Sequence, residues 1–171
     1  MQKEKQHINP RLFLLTLSMF VLGTDSIVIV GVLPQIAHTM KVTEAAAGQS
    51  ITFFAFAYGL GAPFLAALAS RWSSNRVLIA ALAAFSLANV GSAIAPTYPV
   101  LLVTRILAGC FAALCSPLTF TIASSPVSAE KRGKALSLVT IGGTVAIIAG
   151  GPLGTWVGQH WGWRLSLGGV A

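Results

Sequence analysis

Two charged side chains fall well inside long apolar runs of this sequence. Asp25 lies within LFLLTLSMFVLGTDSIVIVGVL, and Arg105 lies within VLLVTRILAGCFAALC. A carboxyl group can take up and release a proton, and a guanidinium beside it favours the ionised form while the two are close. A lone charge at mid-bilayer costs roughly 2.5–3.5 kcal/mol on insertion scales, so each residue calls for a partner or a wet cavity. Two roles stay open for the pair: proton exchange, or a purely structural part in which each charge steadies the helices or snorkels to the interface.

No other constellation competes. His7, His38 and His160 sit in separate loops or termini, no HExxH occurs, and no glycine-rich phosphate loop follows a strand. His160, between Gln159 and Trp161, reads as an interfacial residue. Cys110 and Cys115 share one apolar run without further ligands beside them, and read as small core residues rather than a disulfide or metal site. Neither a metal nor a cofactor is expected, and nothing points to an enzyme.

The elements that must hold these charges follow from composition. The chain of 171 residues is 55% hydrophobic and 9% charged, with a mean hydropathy of +0.79. Soluble domains carry about 25% charged residues, so this chain cannot cover a water-facing surface and is an integral membrane protein in contact with a lipid bilayer. The net charge of +7 does not indicate nucleic acid, because the basic residues form short clusters between apolar runs rather than a groove.

Residues 1–11 are a polar amino terminus, followed by a first span over 12–33, closed by Pro34. At 1.5 Å per residue this run gives about 33 Å of helix. A cleaved signal segment is the alternative, but the run is too long and no small-residue cleavage site follows. A polar loop, 35–44, leads to a second span over 48–69, containing YGLGAP. In the turn SRWSSNR, Ser74 or Asn75 is a candidate cap for the third span, 77–95. The fourth span covers 100–123 and the fifth 136–157, and a sixth starts at 164. The fold class is therefore all-α, with five full membrane helices and the start of another.

Within IGGTVAIIAGGPLGTWVGQHWGWR, Gly142, Ala146, Gly150, Gly154 and Gly158 recur every four residues, with Gly151 and Pro152 between them. On a helix that spacing makes one nearly straight stripe almost without side chains. Glycines in an apolar run are also turn signals, but membrane helices tolerate them and use them for close backbone approach. The stripe reads as a surface that presses against another helix.

Orientation follows from the 11 lysines and arginines. Lys3, Lys5, Arg11, Arg71, Arg76, Lys131, Arg132 and Lys134 fall on one side, Lys41 and Arg164 on the other, and Arg105 within a span. That bias makes the amino terminus cytoplasmic. Trp72, Tyr98, Trp161 and Trp163 lie at span ends, where amphipathic aromatics anchor at the interface.

Four stretches then carry a resemblance. They are LGTDSIVIVGVLPQIA with Asp25, YGLGAPFLAALASRW with its arginine-bearing turn, RILAGCFAAL with Arg105 and Gly109, and GGPLGTWVGQHWGWR. Together they resemble the amino-terminal half of the major facilitator superfamily, in its drug/proton antiporter, arabinose-efflux-permease-like branch. Two departures stand out. In the turn between spans two and three, Ser70 occupies the usual acidic position and Ser73, Ser74 and Asn75 replace glycine and basic residues, so that only Arg71 and Arg76 keep the pattern. The second departure is length, since such transporters have two six-span halves.

The resemblance implies a helical bundle of inverted repeats in a bacterial inner membrane, exchanging a small solute for protons between two halves. Asp25 would carry the coupling proton, with Arg105 as its partner. At 1.5 Å per residue the two lie about 12 and 9 Å below the same surface, and the resemblance makes their helices neighbours. Gly150, Gly154 and Gly158 would mate with a helix of the missing carboxy-terminal half. Two other readings remain: a truncated, inactive remnant, and a module that needs a second copy to build a cavity.

The topology is checked by cysteine accessibility. In a Cys110→Ala, Cys115→Ala background, His38→Cys should be labelled by an impermeant maleimide from outside the cell and Ser74→Cys only from inside. The reverse pattern would invert the orientation.

Overall fold

The computed structural model describes residues 10–125 and 127–171. Lys3, Lys5 and His7 lie outside the described residues, and Pro10 and Arg11 already begin the first helix rather than ending a tail. In order, the elements are α1 (Pro10–Gly31), α2 (Leu33–Met40), α3 (Glu44–Ala69), α4 (Ser74–Ala93), α5 (Tyr98–Ser124), α6 (Ala129–Val145), a π turn (Ala146–Gly150), α7 (Gly151–Trp161) and α8 (Trp163–Gly168). Among the described residues, five stretches are long and apolar enough to cross a membrane: α1, α3, α4, α5, and the run from Glu130 to Trp161 that joins α6, the π turn and α7.

Local chemistry shifts several expected boundaries. Pro34 does not close the first span with a loop. The break falls at Val32, and Pro34 sits in the first turn of α2, where its missing N–H and fixed φ are tolerated. The expected polar loop of 35–44 is therefore largely helix. It ends at Lys41, whose left-handed backbone (φ 56°, ψ 44°) lets the Val42 N–H reach Ala37 O at 3.0 Å. Thr43 then caps α3 by accepting from the Ala46 N–H at 3.1 Å. Neither Ser74 nor Asn75 caps α4: Ser73 holds that position without a side-chain bond. In the fifth span, Pro152 has no N–H to give and its ring would crowd the Ile148 carbonyl in a regular helix. The π turn just before it absorbs this, with the Gly151 N–H bonded to Ala146 O. At Gly162 the backbone adopts φ 91°, a conformation available to glycine, and the chain turns back into α8.

The glycine stripe is already occupied. A Cβ on Gly142 would collide with the Thr16 carbonyl, on Gly150 with Thr24, on Gly154 with Val28, on Gly158 with Val32 and on Gly151 with Ile27. The helix pressed against the fifth span is thus α1, not a helix of another half as the sequence reading expected. The reason is that α1 carries the matching surface. Its Thr24 and Val28, continued by Val32 just beyond its end, recur at the same interval of four, and its own Gly23 and Gly31 receive Ala146 and Thr155. The Thr16 hydroxyl also bonds Leu138 O at 3.1 Å across this seam.

A second seam joins α3 to α5, where a Cβ on Gly109 would strike the Phe54 carbonyl. The other face of α5 packs on α4, and α8 packs on α4. Exchanging the first three spans with the next three maps the pair of spans one and five onto the pair of spans four and two. That is the contact pattern of an inverted repeat.

The loops sort to two ends. Arg11, Ser73–Asn75, Ser125 and Val127 surround one surface depression, and Pro34, Gln35, His38, Gln159 and Trp163 another. Trp163 is not an interfacial anchor: it is buried with Ile36, Leu101 and Leu167, while Trp72 and Trp161 are exposed. The Arg164 guanidinium stacks 4.4 Å from the Trp163 ring and donates to Ala95 O at 2.7 Å, tying the start of the sixth span to the end of α4.

A pair of neighbouring glycines tests the seam. Gly142→Ala should destabilise the chain by about 1–3 kcal/mol, because a backbone carbonyl cannot yield. Gly143, with open space beside it, should tolerate alanine or gain up to about 1 kcal/mol of helix propensity. Unfolding in mixed micelles measures both, and equal effects would show that close approach is not limiting.

Candidate charge-pair site

Asp25 and Thr24 point in directions about 100° apart around α1. While Thr24 and Val28 face the glycine seam, Asp25 and Ile29 turn toward α5. There Arg105 Nη1 donates to Asp25 Oδ1 at 3.1 Å and Oδ2 at 3.2 Å. Both side chains are buried, with 0–1% exposure, so the Coulomb term acts with little solvent screening. The two charges, which the sequence places at similar depths, are thus in direct contact.

The guanidinium has further partners. Nε donates to Ser92 Oγ at 3.1 Å, and Nη2 donates to Ser92 Oγ at 3.0 Å and to Asn89 Oδ1. Asn89 is held by its own Nδ2–H to Phe85 O at 3.2 Å. The Ser92 hydroxyl lies 2.9 Å from Thr104 Oγ1 and 3.0 Å from Ala88 O; its single proton can serve one of them at a time. The Phe54 ring centroid stands 5.9 Å from the guanidinium carbon, within cation–π range. A carboxylate becomes neutral when it takes up a proton, whereas the arginine stays charged, so protonation of Asp25 would weaken the attraction between α1 and α5.

The pair borders a cavity of about 250 Å³ that Ser26, Ile29, Ser50, Phe54 and Tyr58 also line. An adjoining, more open groove of about 400 Å³ shares Ser26, Phe54 and Tyr58 and continues between α5 and α6 past Ser116, Phe120 and Thr140. Apolar and aromatic walls with a few hydroxyls and one charged pair are the make-up of a small-molecule site.

The sequence-designated residues divide into three places. Asp25 and Arg105 meet at the cavity. Gly142, Gly150, Gly151, Gly154 and Gly158 form the seam behind α1, with Pro152 shaping the turn inside it. Arg71 and Arg76 stand exposed at the end that carries Ser73–Asn75, away from the cavity. Sequence reasoning missed Asn89 and Ser92. Their signal was present: two polar residues three apart in the apolar run ALAAFSLANVGSA share a helix face, and polar side chains inside a span call for a partner. Phe54 and Tyr58 carried no such signal, since an aromatic in a membrane helix is ordinary.

Comparison with known proteins gives a consistent result. The sequence model described as Major Facilitator Superfamily matches residues 15–171. The chain is 37% identical over 159 residues to the inner membrane transport protein YdhP of Escherichia coli K12, covering 93% of this chain and 41% of that relative. It is 35% identical over 160 residues to a chloramphenicol resistance protein of Streptomyces lividans, covering 94% and 41%. An uncharacterized MFS-type transporter of Bacillus subtilis, YbcL, is 35% identical over 161 residues, again covering 94% and 41%. The chain thus spans about two fifths of the length of the curated relatives it matches.

The strength of the pair is open to a double-mutant cycle. Asp25→Asn and Arg105→Met, singly and together, should return a coupling of about 1–3 kcal/mol in micelle unfolding. A coupling near zero would mean that the two groups do not act on one another.

Proposed function

We propose that this chain, which belongs to the Major Facilitator Superfamily and carries five helices fit to cross a membrane, forms the amino-terminal half of a proton-coupled exporter of small solutes. The observation that carries the proposal is the buried Asp25–Arg105 pair beside a cavity. Asp25 accepts the coupling proton; its carboxylate then no longer holds Arg105, and α1 is free to shift against α5. Deprotonation restores the ion pair and the opposite state. Alternating access places the solute site between two halves, and the open groove between α3, α5 and α6 supplies this half's share of it. A carboxy-terminal half, or a second copy of this one, supplies the rest.

The direction of transport is outward, in line with the chloramphenicol resistance named for one relative. The solute is a small, largely apolar molecule with a few hydrogen-bonding groups, as the lining suggests. The host membrane is a bacterial inner membrane, with the end bearing Arg11, Arg71, Arg76, Lys131, Arg132 and Lys134 in the cytoplasm.

Everted vesicles carrying the transporter that contains this chain test the proposal, with chloramphenicol among a panel of amphipathic solutes. Asp25→Asn should reduce proton-driven accumulation to background, and Arg105→Lys should do less harm than Arg105→Ala. If Asp25→Asn still concentrates a solute against its gradient at the expense of the proton gradient, the carboxylate is structural and the carrier lies elsewhere.

A further inference from the structure

Arg105 is held from two sides that differ in kind. Nη1 faces Asp25, whose negative charge a single proton removes. Nε and Nη2 face α4, where Asn89 Oδ1 and Ser92 Oγ accept from them. These two acceptors are neutral at every physiological pH and fully buried. The Asn89 amide is in turn fixed to Phe85 O, and the Ser92 hydroxyl sits against Thr104. Arg105 and Ser92 also bracket the short turn between α4 and α5, so the guanidinium is bound to the α4–α5 pair. Asp25, by contrast, belongs to α1, which is locked along its length to the fifth span.

We infer that Asn89 and Ser92 are positioning residues of the charge pair: they anchor the Arg105 guanidinium to α4 on neutral acceptors, so that it keeps its place and its hydrogen bonds when the Asp25 carboxyl takes up a proton. The inference rests on Asp25 as the proton carrier. In the step itself one carboxylate oxygen gains a proton from the solvent that reaches the cavity, while Arg105 keeps all its N–H groups and loses only the negative charge facing Nη1. The remaining bonds leave the cation solvated by protein rather than stranded in an apolar interior. Without them the arginine would depend on Asp25, and the pair would resist opening. Among the described residues, the titratable groups facing the pair are few: Tyr58 from α3 lines the same cavity. α4 contributes the neutral Asn89 and Ser92, and α6 presents Thr140 and Thr144 to the adjoining groove.

The test follows protonation of Asp25 directly. In the purified 171-residue chain, the infrared carbonyl band of the protonated carboxyl, assigned by its loss in Asp25→Asn, is titrated against pH. Asn89→Leu removes a neutral acceptor and leaves Arg105 more dependent on Asp25, so the midpoint should fall by about one pH unit. Asn89→Asp gives the guanidinium a second carboxylate, which frees and repels Asp25, so the midpoint should rise by about as much. Opposite displacements from one position are not expected of a residue that only packs. Should Asn89→Leu fail to fold, Ser92→Ala must move the midpoint in the same downward direction by a smaller amount. Midpoints that stay with the parent in Asn89→Asp and Ser92→Ala overturn the inference. The band shifts do not require transport. If they occur while Asp25→Asn still drives accumulation, the positioning stands and the carrier role of Asp25 falls; if they are absent while Asp25→Asn uncouples, the positioning alone falls.

Discussion

Lipid offers apolar helices no hydrophobic reason to leave it, so association has to come from closeness of fit and from polar groups that lipid cannot satisfy. The seam between α1 and the fifth span meets that constraint by fit. Side chains of α1 fall where the other helix has none, and residues 16, 24, 28 and 32 meet 142, 150, 154 and 158 at one constant offset along two parallel helices. The rest of the bundle depends on that seam, because α1 is the helix that carries Asp25 to α5.

Polar satisfaction does the complementary work on the other face of α1. A carboxylate, a guanidinium, an amide and two hydroxyls from α1, α4 and α5 close on one another in a core of small residues such as Ala88, Ala108 and Ala112. Had these groups been scattered, each would have met lipid alone. Gathered, they hold three helices together at a point next to a cavity, and they do it with an ion pair whose acid member can be neutralised. The atoms that join the three helices are therefore the same ones on which the proposed proton exchange acts. One face of α1 is held by side chains seated where the fifth span has none, and the other by a charge pair.

Much of this was legible in the sequence, for reasons of scale. Runs of some twenty apolar residues name membrane helices whatever else happens, and a stripe at intervals of four names a close-packing face. The depth of Asp25 and Arg105 could be counted along their helices. What the sequence left open was direction around the axis and identity of the partner. The stripe of Gly150, Gly154 and Gly158 says that some helix comes near, but the answering pattern in Thr24, Val28 and Val32 looks like any apolar run until the two are laid together. Pro34 illustrates the other difficulty. A proline forbids continuation of a helix but permits the start of one, and only the backbone at Val32 tells which occurred. Asn89 and Ser92 were visible as polar residues in a span, yet their common partner is thirteen to sixteen residues away on another helix.

The constant offset of the α1 seam bears on how a chain of this kind can vary in length. A substitution at Phe13, Phe64 or Ile148 changes a side chain that stands mostly outside the bundle. A single residue gained or lost between 16 and 32, or between 142 and 158, would rotate everything beyond it by about 100°. Side chains would then stand where backbones now meet, and Asp25 would swing off α5 if the change fell before it. Insertions and deletions should therefore be confined to the connections, such as 70–73, where no register is being kept. Inside the seam, packing constrains length more strictly than composition.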